Sequence, residues 1–225
     1  MELLLAAVSY KDHGACLAGF TQAGQLVRPL SDETENNEIP WDRIAVGPGG
    51  RNLRPLDVVK LSTRRTDYTL HFEDEFINEW PIAFVREFHF SDLADIEAFR
   101  FASKDKVWFM NSTQAYVVNP RREFASLALV EATGLEIKEK PSRPGKYSIS
   151  FTADNKRFEN LSFTDLRREE WAGNVKPNQN YWLCISLALP IENKAWPEGE
   201  KRCYKLVAGL WESSPMASTS SLSLI

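Results

Sequence analysis

Three residues that lie close together in the sequence, His71, Glu73 and Asp74, carry side chains able to transfer protons or to bind a metal ion. If this segment is a strand, His71 and Glu73 point to one face about 7 Å apart, which suits a general acid/base pair or a shared metal. One histidine and one carboxylate are few ligands for a metal, and among the other histidines only His89 is near in sequence. The alternative interpretation is a solvated face or a buried structural hydrogen bond.

Two arginines, Arg28 and Arg54, are each followed by Pro-Leu. Arginine presents a rigid fork of donors that matches phosphate or a guanine edge, and proline fixes the backbone after it. We expect both arginines to line one ligand-binding groove. The alternative is that they form structural ion pairs with Asp32, Glu33 or Asp57.

A third candidate is the mouth of the first predicted hairpin, where Ser9 and Lys11 precede a turn. Backbone amides and a flexible cation at such a turn can hold a phosphate; the alternative is a plain turn with an exposed lysine. The glycine cluster at residues 47–50 lacks the GxxxxGK[ST] pattern and is followed by strand signals, so we interpret it as a connector.

Aromatic side chains are the feature most suggestive of single-stranded nucleic acid, because bases stack on them in any sequence. Core packing remains the default for each, and Trp182 and Trp211 lie in apolar segments typical of core strands. Four basic pairs could add a positive face, although short pairs of this kind usually lie on a solvated surface. They are Arg64–Arg65, Arg121–Arg122, Lys156–Arg157 and Arg167–Arg168.

The composition is that of a folded globular protein: 225 residues, 43% hydrophobic and 26% charged. A net charge of −4 argues against a duplex-binding protein that depends on counterion release. No apolar run reaches the ~20 residues of a membrane span, and the apolar start lacks the basic region of a signal peptide, so we expect a cytoplasmic chain with no membrane partner. Three cysteines without a CxxC pair argue against a disulfide scaffold or a zinc ribbon. We expect all three to be reduced, with Cys16 and Cys184 packed as small hydrophobic residues.

Strand signals dominate the elements that would position these residues. About ten short strands and only one or two helices, at residues 91–100 and 166–171, predict an all-β protein of barrels or sandwiches. Residues 3–8 and 205–210 are apolar apart from Lys205, and we predict that these two strands belong to one barrel. The strongest strand signals lie at residues 3–8, 16–20, 25–29, 57–61, 115–118, 126–130, 135–138, 147–152, 160–163, 181–188 and 203–211.

Several short sequence motifs resemble those of the bacterial dual OB-containing domain family. The opening Ser9-Tyr10-Lys11, the strand Cys16-Leu17-Ala18-Gly19 and the Val27-Arg28-Pro29 that follows are similar to the start of that family. The later motifs of the family are matched by residues 56–59, 71–74, 183–187 and 203–209. The resemblance covers nearly the whole chain in the expected order.

The resemblance implies two OB-like β-barrels with one or two short connecting helices and a role in binding nucleic acid or nucleotides in bacterial defence or repair. We place the first barrel at residues 1–105, with the option that it also receives strand 203–211, the second at 106–212, and a flexible tail at 213–225. We expect a non-enzymatic module for single-stranded nucleic acid or a nucleotide-like ligand, without cofactor or metal, and with Ser9, Lys11, Arg28 and Arg54 as ligand-binding residues. The alternatives are a protein-interaction subunit, or a small metal-dependent hydrolase or nuclease centred on His71, Glu73 and Asp74.

Overall fold

The computed structural model describes residues 1–11, 13–65, 71, 73–88, 96, 108–120 and 125–213. Two closed five-stranded β-barrels contain most of these residues. The strands are β1 (Glu2–Lys11), β2 (Gly14–Phe20), β3 (Leu26–Leu30), β4 (Ile39–Pro40), β5 (Asp57–Arg64), β6 (Asp74–Glu87), β7 (Tyr116–Val118), β8 (Leu127–Glu139), β9 (Tyr147–Ala153), β10 (Lys156–Phe163), β11 (Tyr181–Leu187), β12 (Ile191–Glu192) and β13 (Lys201–Glu212). Two short α-helices, α1 (Trp41–Ile44) and α2 (Arg168–Ala172), and two 3-10 turns, Pro48–Gly50 and Trp108–Asn111, complete the described elements.

Both barrels have the same strand order. The first closes as β1-β2-β3-β6-β5 and back to β1, with β3 and β6 parallel and the other pairs antiparallel. The second closes as β8-β9-β10-β13-β11 and back to β8, with β10 and β13 as its parallel pair. The order 1-2-3-5-4-1 is that of an OB-type barrel, so the predicted all-β fold of two OB-like barrels is confirmed.

The central part of the first strand, residues 3–8, and the end of the last strand, residues 206–211, are apolar because both of their faces are covered. Leu3 and Leu5 of β1 fill the first barrel, whereas Leu4 faces the second barrel. On β13, Val207 fills the second barrel and Trp211 faces the first. The prediction that these strands share a barrel, and the option of adding strand 203–211 to the first barrel, were therefore wrong: burial on both faces came from packing of one barrel on the other.

A continuous apolar core joins the two barrels. Its largest members are Phe20 from the first barrel and Trp182 and Trp211 from the second, all at most 5% exposed. The backbones approach closely here, since a Cβ atom added at Gly209 of β13 would lie 2.1 Å from the carbonyl oxygen of Ala6 in β1. Only glycine allows this spacing of the two strands. Trp182 and Trp211 are core residues, as predicted, but of the core between the barrels.

Some predicted elements differ in extent from the observed ones. The predicted strands 126–130 and 135–138 form one long strand, β8, because Gly134 is not a turn but part of a β-bulge with φ +59°. The second predicted helix is present as α2, shifted to Arg168–Ala172. The predicted helix 91–100, apart from Ile96, the boundary near 105/106 and the tail after Ser213 lie outside the described residues. Among the described residues, no helix is long and apolar enough to cross a membrane.

Candidate binding site: a cleft between the barrels

A cleft of about 440 Å³ lies where the two barrels meet. Its walls come from the ends of β1 and β3 and the start of β6 in the first barrel, and from the segment after β11 and the middle of β13 in the second. We refer to it as the inter-barrel cleft. It is lined by five of the seven residues singled out in the sequence, namely Ser9, Lys11, Arg28, His71 and Asp74.

Parallel pairing of β3 with β6 brings Arg28 and Asp74 together, because the two residues are register partners. Arg28 Nη1 donates a hydrogen bond of 2.9 Å to Asp74 Oδ1, and both side chains are buried. The other carboxylate oxygen of Asp74 accepts a hydrogen bond of 3.1 Å from the backbone N–H of His71. Arg28 is thus in an ion pair, but with Asp74 rather than with Asp32, Glu33 or Asp57.

The second barrel supplies the remaining partners of this arginine. Arg28 Nη2 donates to Ser126 Oγ at 2.9 Å and to Ser186 Oγ at 3.2 Å. Ser186 lies in β11, and Ser126 lies just before the start of β8, so both belong to the second barrel. The guanidinium group of Arg28 therefore connects the two barrels at the floor of the cleft.

Glu73 also connects the two barrels, but it is not among the residues that line the cleft. Its carboxylate accepts hydrogen bonds from Ser126 N at 2.7 Å, Ser126 Oγ at 3.0 Å and Leu127 N at 3.3 Å. A carboxylate with three such donors is a structural group, since most of its roughly four lone-pair sites are already occupied. Glu73 is 1% exposed.

His71 lies on the cleft wall as a neutral imidazole. Burial, followed by the positive charge of Arg28, lowers the pKa of His71 to about 3. An uncharged imidazole can donate one hydrogen bond and accept another, so it can recognise a polar heterocycle without attracting a phosphate. Cys16 is also on this wall and is only partly buried, unlike the core position predicted for it; burial still raises the pKa of its thiol.

The mouth of the cleft is apolar on one side and basic on the other. Leu189 and Ile191 are 45% and 48% exposed, which is unusual for side chains of this size. Opposite them, Lys11 Nζ donates to the carbonyl oxygen of Asn36, and Ser9 Oγ is 3.4 Å from the carbonyl oxygen of Cys16. The rings of Tyr10 and Phe76 add flat apolar surface.

Arg54 is not among the residues that line the cleft. Its side chain is exposed, and its backbone N–H donates to Asp57 Oδ2 at 2.9 Å. Arg51 instead forms the bidentate ion pair with Asp57, at 2.7 and 2.8 Å, so the glycine loop before it packs as an ordered connector. The expected groove with Arg28 and Arg54 side by side is not formed.

The hydrolase alternative depended on His71 and Glu73 sharing a strand face. The strand β6 begins only at Asp74, and Glu73 is turned toward the second barrel while His71 lines the cleft. Within the described part of the chain, no three His, Cys, Asp or Glu side chains are placed to hold a metal ion. This arrangement gives the metal-dependent alternative no support.

The basic pairs and the tryptophans have mixed outcomes. Arg64 and Arg65 are ion-paired to Asp32 and Glu75, and Arg167 donates to the carbonyl oxygen of Leu210. Arg121–Arg122 lies outside the described residues. Trp80 and Trp171 pack under the guanidinium groups of Arg43 and Arg167, 5.1 and 5.2 Å from ring centroid to carbon. Of the side chains in this group that the structure describes, none lines the cleft.

A family model for the dual OB-containing domain matches residues 1–210. The chain belongs to this family. No curated protein matches the chain significantly. Membership of the dual OB family agrees with the two barrels and extends over both of them, so the inter-barrel cleft is formed entirely within the matched residues.

Sequence reasoning missed the contribution of the second barrel to this site. Ser126 and Ser186 carry no signal of their own, because isolated serines next to apolar strands are common. Leu189 and Ile191 did carry one: they flank a proline in a polar loop, where large apolar side chains have no core to join. The pairing of Arg28 with Asp74 could be found only from the strand order, since the two residues are 46 positions apart.

Proposed function

We propose that this dual OB protein is a non-enzymatic binding module whose inter-barrel cleft receives the base of a nucleotide or of a single-stranded nucleic acid. The observation that carries the proposal is the composition of the cleft. Most of its exposed surface is apolar, and it also contains the buried polar groups of Arg28, His71 and Asp74, which is the usual construction of sites for small heterocyclic ligands. A volume of about 440 Å³ is in the range of such sites.

The charges in the cleft favour a base over a phosphate. Arg28 is neutralised by Asp74, and His71 is uncharged, so the floor carries no net charge. Lys11 and Glu35, which carry opposite charges, both line the cleft, although they do not form a salt bridge with each other. A phosphate would therefore gain little inside the cleft, whereas a base would bury its apolar faces and meet the donors and acceptors at the floor.

The size of the cleft also limits the ligand to single strands. A base inside the cleft must be unstacked and unpaired. Taking a base out of a duplex costs roughly a few kcal/mol, whereas a single strand presents its bases unpaired. Phe76 provides a ring against which a base can stack, an interaction worth ~1–3 kcal/mol per base.

The test is a cleft-filling variant. Ala188 lies on the wall and is half-buried, so Ala188→Phe fills the cleft with a ring while its backbone hydrogen bond to Tyr204 is retained. We expect the wild type to bind thymidine and adenosine monophosphates and labelled oligothymidylate in calorimetric and fluorescence-anisotropy titrations, and Ala188→Phe to lose at least tenfold in affinity, corresponding to ~1.4 kcal/mol. Val118→Phe, at an exposed position outside the cleft, is the matched control.

Alkylation of Cys16 provides a readout that does not depend on a label. Cys16 lines the cleft while Cys184 and Cys203 are buried, so Cys16 is the thiol that iodoacetamide reaches first. Nucleotide in the cleft should slow its alkylation. Unchanged alkylation at saturating nucleotide, or equal binding by Ala188→Phe and wild type, would contradict the proposal.

A further inference from the structure

The hairpin loop between β8 and β9 of the second barrel, residues 140–146, is a short basic segment. It contains Lys140, Arg143 and Lys146 and no acidic residue. Its shape is fixed by backbone hydrogen bonds from Lys140 N to Lys146 O, from Arg143 N to Lys140 O and from Lys146 N to Arg143 O. Two prolines, Pro141 and Pro144, restrict it further. We refer to residues 140–146 as the basic loop.

The basic loop lies beside the mouth of the inter-barrel cleft. Lys146 Nζ is 4.5 Å from the centroid of the Tyr10 ring, and the guanidinium carbon of Arg168 is 5.2 Å from the same centroid. Arg168 is tied to the loop by a hydrogen bond of 3.2 Å from its Nε to the carbonyl oxygen of Gly145. Tyr10 and Lys11 both line the cleft, so the positive charges of the loop continue those of the rim.

Lys11 and the three cations of the basic loop differ from most other described cations because they form no salt bridge, whereas Arg168 is paired with Glu169. Most described arginines are in ion pairs, as with Arg51 and Asp57 or Arg202 and Glu200. Among the described residues, Lys11 and the three cations of the basic loop have no carboxylate oxygen within 4.0 Å.

Two carboxylates beside the basic loop already have partners within the protein. Glu139 Oε1 accepts a hydrogen bond of 2.6 Å from the N–H of Gly145, and Glu169 Oε1 is 3.9 Å from Arg168 Nη2. Lys140 is held by a hydrogen bond of 3.0 Å to Ser162 Oγ. The protein therefore has an overall charge of −4 but presents a local positive surface next to the cleft.

We propose that the basic loop, together with Lys11 and Arg168, holds the phosphodiester backbone of a single-stranded nucleic acid whose base occupies the inter-barrel cleft. The proposal rests on the proposed function and makes it specific, because a mononucleotide would use the cleft alone, whereas a strand would use both surfaces. Unpaired lysines and arginines with fixed spacing attract successive phosphates and release their counterions. The ordered loop lowers the entropy lost on binding.

The test compares a strand with a mononucleotide in two double variants. Arg143→Ala/Lys146→Ala removes two exposed charges from the basic loop. Lys60→Ala/Lys194→Ala removes two exposed lysines that are also without ion pairs but lie on β5 and in the loop after β12, outside the cleft, and serves as the matched control. A labelled twelve-residue oligothymidylate is titrated by fluorescence anisotropy over a salt series, and thymidine monophosphate is measured by competition.

We expect the basic-loop variant to bind the oligothymidylate about tenfold more weakly at ~0.1 M salt, with a log-log salt slope flatter by about 1.4, since each phosphate contact on a single strand contributes about 0.7. Its affinity for thymidine monophosphate should stay at the wild-type value. The control variant should match the wild type with both probes.

The possible failures are distinguishable. If mononucleotide and oligothymidylate bind equally well and the basic-loop variant changes neither, this inference is overturned and the proposed function stands. If Ala188→Phe leaves mononucleotide binding intact while the basic-loop variant weakens the oligonucleotide, the cleft assignment fails. An oligoglutamate peptide that competes as strongly as an oligothymidylate of equal charge would show that the surface binds any polyanion, and would also overturn the inference.

Discussion

Arg28 has a structural role in addition to any ligand contact. Its guanidinium group satisfies Asp74 and Ser126, which are buried, and Ser186, which is partly buried. Removing one member of a buried ion pair leaves an uncompensated charge, which costs far more than the intact pair contributes. A loss of binding in an arginine variant is therefore ambiguous unless folding is measured, which is why the binding tests above use other positions.

Arg28→Ala should lower the free energy of unfolding by about 3–5 kcal/mol, because Asp74 remains buried without its cation. The double variant Arg28→Ala/Asp74→Asn should recover at least about 1 kcal/mol of that loss, since the unpaired charge is gone. Urea denaturation of the four proteins of the cycle measures both values. Simple additivity of the two substitutions would show that the pair is not coupled.

His71 gives the protein a defined dependence on acid. Its pKa falls from the ordinary 6.5 to about 3 in the folded state, because burial and the charge of Arg28 disfavour the imidazolium ion. Between these values the unfolded chain binds more protons than the folded one, so acidification favours unfolding. The effect is absent above pH 6.5 and grows by about 1.4 kcal/mol per pH unit below it.

His71→Gln should therefore become more stable relative to the wild type as the pH falls, by about 2 kcal/mol at pH 5, with a constant difference from pH 7 to 8. Denaturation at each pH measures it. Asp165 works in the opposite direction in the same window, since burial raises its pKa to about 6. For that reason the quantity to follow is the difference in unfolding free energy between His71→Gln and the wild type at each pH, because the contribution of Asp165 cancels in it. A difference that does not change with pH would show that His71 is not kept neutral.

At the scale of elements, the sequence predicted most strands because their apolar patterns are local. It could not predict that β8 is one strand, because a glycine such as Gly134 is equally compatible with a turn and with a β-bulge. It also gave no sign that β6 continues through Pro81. Only part of the site could be predicted. Five of its residues were candidates from the sequence, but the sequence did not show the parallel pairing of β3 with β6 that joins Arg28 to Asp74.

The contact of β1 with β13 depends on one residue without a side chain. Gly209→Ala should destabilise the protein by at least about 2 kcal/mol, because the added methyl group would overlap the carbonyl oxygen of Ala6 and push the barrels apart. Gly173→Ala is the matched control: its Cβ would meet nothing within 4 Å, and its backbone is right-handed, so its stability should stay within about 1 kcal/mol of wild type. Thermal melts followed by circular dichroism distinguish the two.

At the scale of the whole molecule, the two barrels are joined by three kinds of contact. The first is the apolar core that contains Trp182 and Trp211, and the second is the set of hydrogen bonds that Arg28 and Glu73 make to the second barrel. The third is backbone pairing, in which Tyr10 N donates to Thr164 O at 2.7 Å and Leu166 N donates to Val8 O at 3.0 Å. An interface that is apolar and also satisfied in its hydrogen bonds resembles the interior of one domain. We therefore expect the cleft to have a fixed shape.

This expectation predicts one cooperative unfolding transition for both barrels. Tryptophan fluorescence, which includes Trp182 and Trp211 in the inter-barrel core, and far-ultraviolet circular dichroism should give the same urea midpoint. Glu73→Ala should move both midpoints together and cost about 3 kcal/mol, because Ser126 N and Leu127 N are left buried without an acceptor. Glu73→Gln keeps an acceptor oxygen and should cost less. If fluorescence changes before circular dichroism in the wild type, or if Glu73→Ala separates the two curves while the barrels stay folded, the barrels are independent units and the cleft between them is not a fixed site.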